Sequence, residues 1–135
     1  MAFVNAEEMY RLFDLVLDKV KKDEALYKTL SDSVSVLVMK VPNLDATFTL
    51  EMKGSINVTY GPCDVKPDAT TTQNDDIFNK FWQGKLNLMV AMTTGKVKAS
   101  GAMTKMLKLL PKINPIYKYY VEVLKEIGRE DLVIK

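Results

Sequence analysis

Few side chains in this 135-residue sequence are equipped for covalent or acid–base chemistry. There is no histidine, and Cys63 is the single cysteine. Nucleophile systems built on a histidine base are therefore excluded, as are the usual zinc sites. A cofactor-free enzyme of isomerase type acting on an apolar substrate would need a buried carboxylate and a tyrosine. Asp68, Asp75 and Tyr60 are the nominees for those roles. Both carboxylates also have plainer roles, Asp75 in a helix cap and Asp68 in a turn. No D-x-[DN]-x-[DN]-G calcium loop, G-x-G-x-x-G or G-x-x-x-x-G-K-[ST] segment is present, so neither a metal nor a nucleotide cofactor is expected.

Charge is distributed unevenly. From Ile77 to Val121 there are eight lysines and no Asp or Glu, whereas the formal net charge of the whole chain is only +2. Such a block suits an anionic partner, or else a solvated lysine-rich face. Nucleic acid is a poor fit, because Arg11 and Arg129 lie outside the block and no aromatic residues stand at obvious stacking positions within it.

The elements that must carry these groups follow from periodicity. Met9, Leu12, Phe13, Val16, Leu17 and Val20 recur at three- and four-residue steps and predict an amphipathic helix over 5–21, capped by Asn5 with Glu8 completing a capping box. A short helix is expected over 23–30. The period then becomes two, predicting strands at 34–41, 46–53, 55–60 and, more weakly, 69–72. Asn74-Asp75-Asp76 caps a helix bearing Ile77, Phe78, Phe81 and Trp82 and ending at Gly84; a second piece runs over 86–92 to Gly95. Residues 96–100 alternate again as a last strand. Met103, Met106, Leu107 and Leu110 line a helix expected to stop at Pro111, and Asn114-Pro115 starts a final helix carrying Ile116, Tyr120, Val123, Leu124 and Ile127 inward. With 47% hydrophobic and 27% charged residues and no repeat or linker, the expectation is one globular domain over 3–135. The N-terminus does not read as a signal peptide and no run suits a membrane span, which points to a cytoplasmic protein.

Several amphipathic helices thus stand ready to cover one face of a sheet. Met89, Met92, Met103 and Met106 fall near Phe78, Phe81, Trp82 and Leu110, and methionine suits walls that adapt to a ligand. A filled core would use the same residues, so composition leaves both open.

The run Asp68-Ala69-Thr70-Thr71-Thr72, then Phe78 and Phe81 before Gly84-Lys85-Leu86, then Ala91, then Gly95-Lys96-Val97-Lys98-Ala99-Ser100-Gly101 before a Met/Leu helix, resembles the sterol carrier protein type 2 lipid-binding domain. The resemblance spans nearly the whole chain. It implies an α+β fold, with a five-stranded, mostly antiparallel sheet covered on one face by amphipathic helices. It also implies an apolar tunnel for a fatty acid, fatty acyl-CoA or sterol-like ligand, without cofactor or catalysis. By matching positions, Phe78, Phe81, Leu86, Met89, Met103, Met106 and Leu110 become candidate lining residues, with Trp82, Met92 and Leu107 beside them. Lys105, Lys108 and Lys112, on the polar side of the Met/Leu helix, become candidates for a ligand head group or an anionic membrane surface. Two departures stand out. Ala102 replaces the usual polar Asp or Asn after Gly101, weakening that helix's cap, and the chain ends Val133-Ile134-Lys135 rather than in a peroxisomal Ser-Lys-Leu. The final helix is longer than the family core and suits a lid or a homodimer contact. A non-binding dimerisation module is the remaining alternative.

Overall fold

The computed structural model describes residues 1–135. Asn5 starts α1 (Ala6–Lys22), its Oδ1 accepting from the Glu8 N–H at 2.9 Å. The Glu8 carboxylate does not close the box on Asn5; it accepts from the Val4 N–H and pairs with Arg129. All six periodic apolar residues of α1 are buried. Asp23 caps α2 (Glu24–Ser31). Val34 then takes a left-handed backbone, φ 50°, and is exposed, so β1 begins only at Ser35.

The sheet comprises β1 (Ser35–Val41), β2 (Ala46–Met52), β3 (Ile56–Tyr60), β4 (Ala69–Gln73) and β5 (Val97–Gly101) in the order β3-β2-β1-β4-β5. Pairing is antiparallel except between β1 and β4, which run parallel. The fold is therefore α+β with a mixed, mostly antiparallel five-stranded sheet and six α-helices. β1 is the middle strand and is buried on both faces apart from Lys40, which explains its nearly continuous apolar sequence. Leu37, Met39 and Val41 face the main core, and β5 is an edge strand.

The C-terminal half contains α3 (Asp75–Trp82), α4 (Leu88–Thr93), α5 (Met103–Ile113) and α6 (Ile116–Glu126). Three expectations change here. Asn74 makes no side-chain cap on α3. Asp75, only 1% exposed, instead accepts from the Ala2 and Phe3 N–H groups at 2.7 and 2.9 Å and from the Asn43 amide at 2.8 Å. It pins the N-terminal segment and the 3-10 turn at Pro42–Leu44 to the start of α3. Secondly, α5 does not stop at Pro111. A proline removes one internal hydrogen bond, but burial of Leu109 and Ile113 on either side keeps the segment helical. Thirdly, Asn114 is a helical C-cap of α5 rather than the N-cap of α6, so the two helices are nearly continuous.

The expected weak cap is present: Ala102 offers no side-chain hydrogen bond to α5. The final helix spends its apolar face within the chain. Ile116, Tyr120, Val123 and Leu124 are buried in the main core, and Lys19 of α1 bridges Glu122 and Glu126 at 3.4 and 2.7 Å. No helix is long and apolar enough to cross a membrane.

Candidate functional site

An apolar pocket lies between the sheet and α3, α4 and α5. Its sheet wall comes from β1 and β4: Leu37 and Met39, two residues apart and hence on one face, with Thr71 and Gln73 beside them. α3 contributes Ile77, Phe78 and Phe81, and the segment into α4 contributes Leu86 and Leu88. Val97 opens β5 at the pocket's edge. α5 closes it with Met106, Leu109, Leu110 and Ile113, spaced i, i+3, i+4 and i+7 along one helical face. Twelve of the fourteen lining residues are hydrophobic. Of the two polar ones, Gln73 already donates its amide to the Lys40 carbonyl at 3.3 Å.

The enclosed space is small, about 30 Å³. A second void of about 20 Å³, lined only by hydrophobic side chains of α1, α2, β1–β3, α3, α5 and α6, lies deeper. Leu37, Leu109 and Ile113 border both voids and so form a partition one side chain thick. Ala91 of α4 packs on Ile77 and Val97 in a satellite cluster, while Leu88 reaches the main core.

Of the residues nominated from sequence, Phe78, Phe81, Leu86, Met106 and Leu110 meet at the first pocket. Trp82 is fully buried at the second void, with Phe13 and Phe81 packed edge-on to its ring. Met92 and Met103 are half-buried outside both linings. Met89 and Leu107 face solvent at 58% and 41% exposure. Leu107 sits a full residue's rotation from the buried stripe through Met106, Leu109 and Ile113. Ile113 lies past Pro111, where the sequence predicts the helix to end, and Leu109 falls off the expected stripe of Met103, Met106, Leu107 and Leu110, a stripe that would turn Leu107 inward instead. Sequence reasoning missed Leu37 and Met39 because β1 is apolar on both faces.

Lys105 is already engaged, its Nζ 3.0 Å from Asp68 Oδ2, while Lys108 and Lys112 are exposed and in no ion pair. The same Asp68 oxygen accepts from the Val36 N–H at 2.7 Å. That hydrogen bond and Lys105 hold the carboxyl below its ordinary range. The motif glycine nearby has a structural purpose. At Gly101, φ is +94° and an added Cβ would lie 2.4 Å from the Asp68 carbonyl oxygen. The following Ala102 N–H then donates to that carbonyl at 2.7 Å.

The acid–base nominees are not brought together. Tyr60 ends β3, whereas Asp68 precedes β4, with β2 and β1 between them; three strand spacings amount to about 14 Å. The Tyr60 hydroxyl donates to Asp14 at 3.2 Å, and burial followed by the Asp14 charge pushes its pKa up. For Asp75, burial would raise the carboxyl's pKa, but the hydrogen bonds from Phe3, Asn43 and Ala2 outweigh it and leave a net lowering.

Known proteins share this fold. The chain is 35% identical over 83 residues to peroxisomal multifunctional enzyme A of Dictyostelium discoideum, covering 61% of this chain but only 19% of that enzyme. The sterol carrier protein domain 2 of Helicoverpa armigera superposes with a TM-score of 0.58 at 25% identity, over 78% of this chain and 87% of that one. Sterol carrier protein 2 from Yarrowia lipolytica, in apo form, superposes at 0.60 with 20% identity, over 85% and 91% of the two chains. The SCP-2 sterol transfer family matches residues 13–111, from within α1 through the sheet to Pro111 of α5. That span takes in all five strands, the Gly-Lys-Val-Lys segment and almost the whole pocket wall, and by it the chain belongs to the SCP-2 sterol transfer family.

Proposed function

We propose that this chain is a single non-catalytic domain that binds and transfers an apolar lipid, its chain or ring system held between the sheet and α3–α5. The observation that carries the reading is the pocket wall: twelve hydrophobic side chains, with no carboxylate, tyrosine or lysine among the lining residues. A wall of that kind can solvate a hydrocarbon but offers nothing to move a proton.

The enclosed 30 Å³ is about a tenth of the ~300 Å³ at the lower end for ligand pockets. A long acyl chain must therefore widen the site. Two features favour widening. Met106 is a flexible wall residue, and the one buried residue of α4, Ala91, packs on just Ile77 and Val97 in a small satellite cluster, with Leu88 reaching the main core. Displacing the partition of Leu37, Leu109 and Ile113 would join both voids into one tunnel. Lys108 and Lys112, on the outer side of α5, are proposed to meet an anionic head group; Lys105 would contribute only by leaving Asp68. That pair is 40% and 35% exposed, so releasing it costs under about 1 kcal/mol.

Affinity follows from burial. Some 14 methylenes at ~0.8 kcal/mol each provide roughly 11 kcal/mol gross. Association costs of order 4 kcal/mol or more, with the cost of widening added, bring binding to the micromolar range. Titrating delipidated protein with a fluorescent long-chain fatty acid tests this directly. Saturable one-to-one binding is expected; no saturation by tens of micromolar would defeat the proposal.

A further inference from the structure

α1 buries its apolar face against the core, and so does α6. α4 does not. Met89 and Val90 are adjacent on it and 58% and 55% exposed, the only neighbouring pair of large exposed hydrophobics in any helix. The ten residues Leu86 to Gly95 contain no charge and are flanked by Lys85 and Lys96. Two residues beyond the end of α4, at Gly95, begins an open polar cleft walled by Lys80, Lys96 and Lys98, with Asp76 its one acid. None of these three lysines is in an ion pair.

The cleft and the apolar pocket share Gln73 and Ile77 as wall residues. Ile77 is also one of the two buried residues, with Val97, on which Ala91 of α4 rests. An exposed apolar tip, an adjoining basic cleft and the edge of a lipid-sized site thus meet around one short helix. A water-soluble protein partner would need shape and polar complementarity that this uncharged tip lacks. A bilayer with anionic phospholipids matches both parts, since hydrocarbon accepts the tip and lipid phosphates pair with the lysines.

We propose that α4 is the membrane-docking element: Met89 and Val90 enter an anionic phospholipid bilayer, Lys80, Lys96 and Lys98 meet the lipid phosphates, and displacement of α4 from Ile77 and Val97 opens the pocket toward the membrane. The inference rests on the lipid-binding reading and names where the lipid enters and leaves.

Flotation with vesicles of phosphatidylcholine alone or with phosphatidylserine tests it on the full chain. The parent binds the anionic vesicles, and binding falls with added salt. Val90→Asp weakens this at least tenfold, yet leaves binding of a soluble fatty acid unchanged, because Val90 lies outside the pocket wall. Lys80, Lys96 and Lys98 replaced together by Gln cost on the order of 100-fold on anionic vesicles, about fivefold per lysine. In Val90→Trp, emission shifts to the blue on vesicle addition, whereas Trp82 is already buried. Parent-like vesicle binding by Val90→Asp, or no blue shift from Val90→Trp, overturns the proposal. So does a parent dimer that Val90→Asp makes monomeric while neither binds vesicles, which would give the tip to a second copy of the chain. A parent that binds fatty acid but no anionic vesicles removes this inference alone; absence of fatty-acid binding in the parent removes the lipid reading beneath it.

Discussion

Leu109→Ala perturbs the partition between the two voids and yields a prediction that separates a binding pocket from an ordinary core. Leu109 is 4% exposed and borders both spaces. Truncating a buried leucine costs about 3–5 kcal/mol, part for lost transfer energy and part for the cavity. At about 4 °C per kcal/mol for a chain of this size, the melting temperature should fall by roughly 10 °C or more. The cavity formed, on the order of 150 Å³ for such a truncation, would merge with both voids into roughly 200 Å³. That space approaches the ~300 Å³ of a small ligand site, so part of the cost of widening is met before the ligand arrives. Calorimetric melting with and without a saturating C16 fatty acid, together with a fluorescence titration, measures both effects. The variant should be less stable than the parent, bind the fatty acid several-fold more tightly and regain more melting temperature from it. Val38→Ala, in the alternate register of β1, should lose stability without gaining affinity. If Leu109→Ala loses the expected stability but binds no better than the parent, the chain does not run through the partition. If it loses under about 1 kcal/mol, Leu109 is not packed as described.

Further predictions concern the joints around the pocket. Gly101→Ala places a Cβ against the Asp68 carbonyl in a left-handed backbone, and should cost more than about 3 kcal/mol or abolish folding in a denaturation series. Asp68 has a depressed carboxyl pKa in the folded state, so its contribution is present above the unfolded value near ~3.9 and is lost as pH falls through the folded one. Asp68→Asn should therefore be less stable than the parent at pH 6–7, with the gap closing below about pH 4; a pH-independent gap would contradict the assignment. Gln83 donates to the Leu132 carbonyl and accepts from the Ile134 N–H, each within 2.9 Å, clamping the C-terminal segment to the end of α3. Gln83→Ala should cost about 1–3 kcal/mol in urea unfolding and speed hydrogen exchange at Ile134.

Local signals carried much of this fold. α1 announces itself through Asn5 and six apolar residues in register, and β2 through the strict alternation of Ala46, Phe48, Leu50 and Met52. The family pattern from Asp68 to Gly101 contains Phe78, Phe81 and Leu86 of the pocket wall, whereas the wall residues of α5 lie beyond it. What stayed hidden depends on distant partners. A proline at 111 reads locally as a stop, and only the burial of Ile113 beyond it explains the continued turn. Asp75 reads as a cap because its real donors, Ala2, Phe3 and Asn43, are more than thirty residues away. Leu37 and Met39 could not be assigned to the pocket, since a middle strand buried on both faces has no polar side to reveal which way it points. Lysines on a helix likewise do not declare whether they are free; Lys105 is tied to Asp68 and Lys108 is not.

A lipid chain held between β1, α3 and α5 would touch side chains from all three elements. The most direct measurement is an isotope-filtered NMR experiment on delipidated protein saturated with a ¹³C-labelled C16 fatty acid. Nuclear Overhauser contacts from the chain to the methyl groups of Leu37, Met106, Leu109 and Ile113 are predicted, with shifts at the Trp82 indole as the chain nears the inner void. A saturated complex whose contacts fall elsewhere, leaving those methyl groups and Trp82 unchanged, would contradict the account.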